Sequence, residues 1–326
     1  MLIQAGQVGL ILLLYEVGLE IDLPGFGEFR RAIVYALGWC TIQYPFVILL
    51  AHAIGLGLKE SLLAAAALTG CSVGMAHIGW KGYPGSGAAK RFLLHVMVAL
   101  EMIAIVLLTT FSSFLEKPLG WWLPLNLLGI GTIIWLISRL AVRVQKLFDR
   151  ILQVSTHWQV HLIVLLVLAI CAAGERLGLS AVKTAFFLGL FMSRSQHEGY
   201  SVEEAIAPIS RRFLIPLFFV SLGLHIEWRF LITTKALFAL GTALFIIGWR
   251  SIIHRRWLPT GGGQKAFMLL GPNLPLVALG ASVLLERADC SPGARWLLLC
   301  GFFLSVISII SLPASPQGTE SGFQTS

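Results

Sequence analysis

Apolar runs of about twenty residues follow one another along the whole chain, and most of the charged residues lie between these runs or near their ends. A helix needs about 20 apolar residues to cross roughly 30 Å of hydrocarbon at about 1.5 Å per residue. Eleven segments meet that requirement, near 2–21, 31–55, 60–80, 91–115, 119–143, 158–177, 180–196, 207–225, 230–253, 264–286 and 294–314. The chain is 57% hydrophobic and only 12% charged, against about 25% charged in an ordinary soluble domain. A soluble enzyme, a nucleic-acid binder and a disordered chain are all excluded on these grounds. The expected class is an all-α polytopic membrane protein lying in a lipid bilayer, spanning residues 1–314. A polar tail, 315–326, is expected to be disordered.

The net charge of +8 would suggest nucleic acid if the charges were clustered on one surface. They instead fall in loops, as membrane orientation requires. With eleven spans, fifteen Lys and Arg lie on one side, among them Arg30, Arg31, Lys90, Arg91, Arg255 and Arg256. Seven lie on the other, among them Lys59, Lys117 and Arg287. This asymmetry predicts a cytoplasmic C-terminus. The five cysteines have no CxxC spacing and mostly sit inside apolar runs, so neither a disulfide framework nor a zinc site is indicated. No cleaved signal peptide and no cofactor are expected.

Three segments are interrupted. The third contains Thr69-Gly70-Cys71-Ser72-Val73-Gly74, the eighth Pro216 and Gly223, and the tenth Gly271-Pro272-Asn273-Leu274-Pro275. Proline removes a backbone donor, and glycine weakens a helix. Unwound backbone at membrane depth is tolerated only where it is buried in protein or lines a cavity, and a pair of broken helices in a transporter commonly marks a midplane ion site. Gly and Pro also serve ordinary packing and kinks in membrane helices, which is the better account of Pro216.

Glu101 sits in the middle of the fourth segment, in HVMVALEMIAIVLL. An ionisable side chain there costs roughly 2.5–3.5 kcal/mol on insertion scales. It must face a cavity, a partner or a proton. Two readings remain open. Either proton and metal ion compete for the carboxylate, or it is a structural group paired with a buried base. Arg250, near the end of the ninth segment, is a candidate partner. It could equally snorkel to the interface beside Arg255 and Arg256. Glu16 is expected to be buried in the first segment, with Glu20 interfacial.

Several stretches, taken in order, are similar to one family. GLILLLYEVGLEIDL (9–23) followed by Arg30-Arg31, ALGWCTIQYPF (36–46), LTGCSVGM (68–75), GLSAVKTAFFLGLFMSR (178–194) and IPLFFVSLGLHIEW (215–228) resemble consecutive parts of the cation:proton antiporter superfamily, in its sodium/hydrogen exchanger and Kef-type branch. The resemblance covers about residues 5–312. It implies an inverted-repeat fold with a dimerising panel, a moving core and two broken helices crossing at the ion site. It implies no enzyme, but exchange of Na⁺ or K⁺ against H⁺ by alternating access, in a homodimer. It places the transport carboxylate at Glu101, with Thr69, Cys71, Ser72 and Asn273 around it and Arg250 as the basic partner.

Four departures from the family pattern stand out. Family members usually begin with about two further helices, and this chain starts where the third would. Leu100-Glu101 replaces the usual Asp-Asp or Asn-Asp. Pro272-Asn273-Leu274-Pro275 replaces Pro-Arg-Gly-Glu. The basic position of the ninth segment falls on Arg250, or on Trp249 with a shift of one. A single carboxylate predicts electroneutral one-for-one exchange. The departures also support a different expectation, a member that no longer transports and serves as a membrane scaffold or partner subunit.

Overall fold

The computed structural model describes residues 2–20, 26–71, 87–116, 159–176, 181–192, 231–257, 271–287 and 291–311, with a few isolated positions between them. The fifth segment (119–143), nearly all of the eighth and the tail lie outside these residues. The described helices are α1 (Leu2–Glu20), α2 (Phe26–Ala53), α3 (Leu58–Thr69), α4 (Gly87–Glu116), α5 (Gln159–Arg176), α6 (Ala181–Met192), α7 (Thr234–Trp257), α8 (Leu274–Leu285) and α9 (Ser291–Ser311). A two-residue hairpin, β1 (Gln196–His197) with β2 (Tyr200–Ser201), follows α6. It was not anticipated, because four residues of strand leave no readable alternation.

Among the described residues, four stretches are long and apolar enough to cross a bilayer: Phe29–Ala53, Gly87–Ser112, Thr234–Ile253 and Ser291–Ser311. Their outward faces carry large apolar side chains such as Val34, Leu49, Leu237 and Ile310. In water this would be a costly surface; in lipid it is the ordinary one.

The interior holds two apolar clusters. The larger joins α2, α3, α4, α7, α8 and α9, with Leu10, Leu13 and Leu14 of α1 and Phe186 of α6 at its edge. The smaller joins Leu12, Tyr15 and Leu19 of α1 to Ile163, Val167 and Cys171 of α5 and Ala185, Leu188 and Met192 of α6. α1 therefore turns one face to each cluster. At its crossing with α6 the backbones come so close that a Cβ on Gly189 would collide with the Tyr15 carbonyl and lie 3.0 Å from the Gly18 Cα.

Helix directions within the larger cluster follow from its contacts. α2 and α3 form an antiparallel hairpin, closed where Gly55 takes φ +97°. The Gly55 N–H donates to the His52 carbonyl (2.9 Å) and the Leu56 N–H to the Ala51 carbonyl (3.2 Å). This is the Schellman arrangement that lets a helix stop in one residue. Ala64 to Ala67 of α3 are fully buried, and small side chains let neighbouring backbones approach. A Cβ on Gly280 of α8 would lie 3.0 Å from that of Ala67 and 3.5 Å from Leu108 of α4. At one end, Arg287 beyond α8 donates to the Leu115 carbonyl of α4 (2.9 Å) and pairs with Glu60 at the start of α3 (3.9 Å). At the other end Gly70 meets Leu276 and Ala104. α4 and α8 thus run parallel to each other and antiparallel to α3.

Gly189→Val should lower the unfolding midpoint in detergent by the equivalent of about 1–3 kcal/mol or more. Gly241→Ala, where an added Cβ meets nothing within 4 Å, should leave the midpoint unchanged or slightly raised.

Candidate ion site at a helix crossing

The two interruptions read from the sequence meet in space. α3 stops at Thr69, and α8 starts only at Leu274. Between them the extended strands cross, with Cys71 opposite Pro272 in an antiparallel bridge. The Asn273 N–H donates to the Gly70 carbonyl at 2.9 Å. Packing is tight at Gly70, where a Cβ would come within 2.7 Å of Leu276 and 3.1 Å of Ala104.

A broken helix leaves backbone groups open at mid-membrane. Around the end of α3 several backbone groups find partners. The Gly70 N–H returns to the Ala66 carbonyl (3.3 Å), the Thr69 hydroxyl donates to the Ala65 carbonyl (2.7 Å) and the Arg250 Nη2 donates to the Leu68 carbonyl (2.8 Å). The negative end of the α3 dipole thus faces a guanidinium, and the positive N-terminus of α8 opens towards a carboxylate. Both juxtapositions are favourable.

That carboxylate is Glu101, the fifteenth residue of the thirty in α4 and 2% exposed. Fourteen residues, about 21 Å at helical rise, separate it from the Leu115 end. The Asn273 Nδ2 donates to the Glu101 Oε1. Asn273 is also 2% exposed, and its Oδ1 finds no hydrogen-bond partner among the described residues. A carboxylate and an orphaned amide oxygen therefore stand together at the crossing. Buried polar atoms are seldom left unmatched, and hard oxygen donors of this kind suit an alkali cation.

Of the other residues singled out from the sequence, Thr69 is buried beside the crossing with its proton held by Ala65, so that only its oxygen lone pairs remain for a ligand. Cys71 is fully buried at the crossing, opposite Pro272. Ser72 lies outside the described residues. Arg250 does not snorkel. It is 2% exposed and turned inward, because the open end of α3 supplies the acceptor that the interface would otherwise provide. Trp249 occupies a different role, with its ring 4.1 Å from Phe46 of α2. Glu16 is buried, at 4% exposure. Sequence reasoning did not find the Leu68 and Gly70 carbonyls, since a backbone acceptor carries no residue-type signal. It also did not find that Asn273 touches Glu101 directly. Cys40 of α2, Cys71 and Cys300 of α9 come together in the larger apolar cluster, and nothing in their spacing announced this.

The fold and the crossing of two broken helices define an α-helical membrane protein. The family described as sodium/hydrogen exchanger, transmembrane, matches residues 5–313, and the chain belongs to that family. It is a family of integral membrane transporters, not of enzymes. Over 237 residues the chain is 25% identical to the Na(+)/H(+)-K(+) antiporter GerN of Bacillus cereus, covering 70% of this chain and 59% of that one. It is 27% identical over 236 residues to a Na(+)/H(+) antiporter of Enterococcus hirae (68% and 59%). It is 26% identical over 300 residues to a glutathione-regulated potassium-efflux system protein of Haemophilus influenzae (82% and 47%). The chain spans about half to three-fifths of the length of these curated relatives. Among solved structures it is similar to the sodium proton antiporter MjNhaP1 from Methanocaldococcus jannaschii, with a TM-score of 0.68 and 14% identity over 94% of this chain and 82% of that one. That likeness establishes the fold.

Replacing Arg250 by Met should lower the unfolding midpoint by the equivalent of about 1.5–3 kcal/mol, the usual contribution of a hydrogen bond to a charged group. Arg250→Lys should fall between Met and wild type in the same thermal unfolding series, since an ammonium restores the charge but not the planar fork.

Proposed function

We propose that the protein is a secondary active antiporter that exchanges a monovalent cation, Na⁺ or K⁺, for H⁺ by alternating access. The observation that carries this reading is the buried Glu101 carboxylate at the crossing of two broken helices, beside an Asn273 Oδ1 that has no hydrogen-bond partner among the described residues. A carboxylate in that position has two ways to lose its desolvation penalty, by taking a proton or by binding a cation. The two are mutually exclusive on one acid. Exchange follows if each occupied form can face either side of the membrane.

The charge count supports electroneutral one-for-one exchange. Glu101 with a cation and Glu101 with a proton carry the same net charge, and the Arg250 charge is constant in both. Thr69 and Cys71 complete the coordination sphere together with Ser72, and Arg250 holds the crossing in shape. Alternating access is movement of the larger apolar cluster against the smaller one. We extend the reading to a homodimer with cytoplasmic C-termini, built from inverted repeats. A scaffold that does not transport would give no reason to keep an acid, an orphaned amide oxygen and two open helix ends together in the hydrocarbon.

In proteoliposomes, adding Na⁺ or K⁺ outside should drive proton efflux at a rate insensitive to an imposed membrane potential. Glu101→Gln should abolish it, and a variant exchanging as fast as wild type would remove Glu101 from the site. Because proton and cation compete, the apparent KM for the cation should rise as pH falls and the maximal rate should recover at saturating cation. A KM independent of pH would mean separate sites.

A further inference from the structure

α2 carries a carboxamide that the exchange reading leaves without a task. Gln43 is 1% exposed, and neither its Nε2 nor its Oε1 has a hydrogen-bond partner among the described residues. It stands in the middle of the buried stripe of α2, with Trp39 and Val47 one turn to either side. α2 packs on both α3 and α4.

Two independent registers set its depth. α2 and α3 are an antiparallel hairpin, so ten residues back from Ala53 and ten forward from Leu58 bring Gln43 level with Leu68, the residue whose carbonyl receives Arg250. α2 and α4 are both antiparallel to α3, hence parallel to each other. Tyr35 of α2 meets Phe92 of α4 with ring centroids 6.0 Å apart. Eight residues onward from that contact lie Gln43 and Leu100, next to Glu101. Both registers put the amide at the level of the crossing.

An apolar side chain would fill this stripe without leaving polar atoms unmet, so the amide is retained at a cost. A carboxamide offers one acceptor and two donors, which match water better than a bare cation. We propose that Gln43 forms the α2 wall of the Glu101 site, and that its Oε1 accepts a hydrogen bond from a water molecule retained by the bound monovalent cation. The inference rests on the exchange reading and defines the form of its substrate, a cation that reaches Glu101 partly hydrated.

The test is Gln43→Leu and Gln43→Met, with Glu101→Gln alongside, in proteoliposome exchange and in Na⁺-dependent thermal shift of the purified protein. The expected result is a KM for Na⁺ raised about five- to tenfold, the equivalent of one hydrogen bond, with maximal rate unchanged. The Na⁺-induced shift of the unfolding midpoint should shrink in parallel, and Gln43→Asn should recover part of both. Without cation, the midpoint of either apolar variant should equal or exceed that of wild type. If both apolar variants keep the wild-type KM and thermal shift while Glu101→Gln is dead, this inference is overturned and the exchange reading stands. If Glu101→Gln behaves as wild type, both fall. If Leu and Met instead lower the cation-free midpoint with KM intact, Gln43 is a packing residue and the inference is equally overturned.

Discussion

Two helix ends left open in the middle of a membrane are the constraint around which the rest is arranged. Backbone carbonyls at the end of α3 and backbone donors at the start of α8 have no water to turn to. Arg250 answers the first through the Leu68 carbonyl, and the pairing of Asn273 with Gly70 and Glu101 answers the second. The same groups that make the interruption tolerable are the groups that carry charge there. Structural need and candidate chemistry cannot be separated at this crossing, since the acid that complements one dipole is also the one able to hold a proton.

Much of this was legible in the residues. Runs of twenty apolar positions gave the membrane class, and glycine with proline placed both breaks within a residue or two of where the helices stop. Glu101 stood out because an acid in such a run is costly. Arg250 was not decidable, because Arg255 and Arg256 follow it and a snorkelling side chain has the same local sequence as an inward one. The difference lies in an acceptor 182 positions away in the chain. Asn273 was found as a residue at the break, but its partner was not, since polar side chains on separate helices have no shared periodicity. Gln43 drew no notice at all. A single amide in ALGWCTIQYPF reads as unremarkable until both of its ends are seen to be buried.

The departures from the family pattern also look different in three dimensions. Leu100 stands where the family resemblance leads one to expect a polar neighbour, one of the departures behind the expectation of a member that no longer transports. Leu100 is fully buried, yet Glu101 still receives an amide hydrogen bond, from Asn273 on the opposite broken helix. An amide donor thus reaches the acid from across the crossing. The acid is thereby coupled to the backbone junction itself, because the residue whose amide touches it also donates its N–H to Gly70.

α1 belongs to both apolar clusters at once. Leu10, Leu13 and Leu14 face one body, while Leu12, Tyr15 and Leu19 face the other, and the backbone is wedged against α6 where Gly189 admits no side chain. Such a helix is a shared wall between two rooms, fastened firmly on one side. On its opposite surface Leu10, Leu13 and Leu14 pack into the larger cluster, so one helix ties the two clusters together. Because close-packed interiors transmit strain, a change of packing in either cluster reaches the other through that one helix.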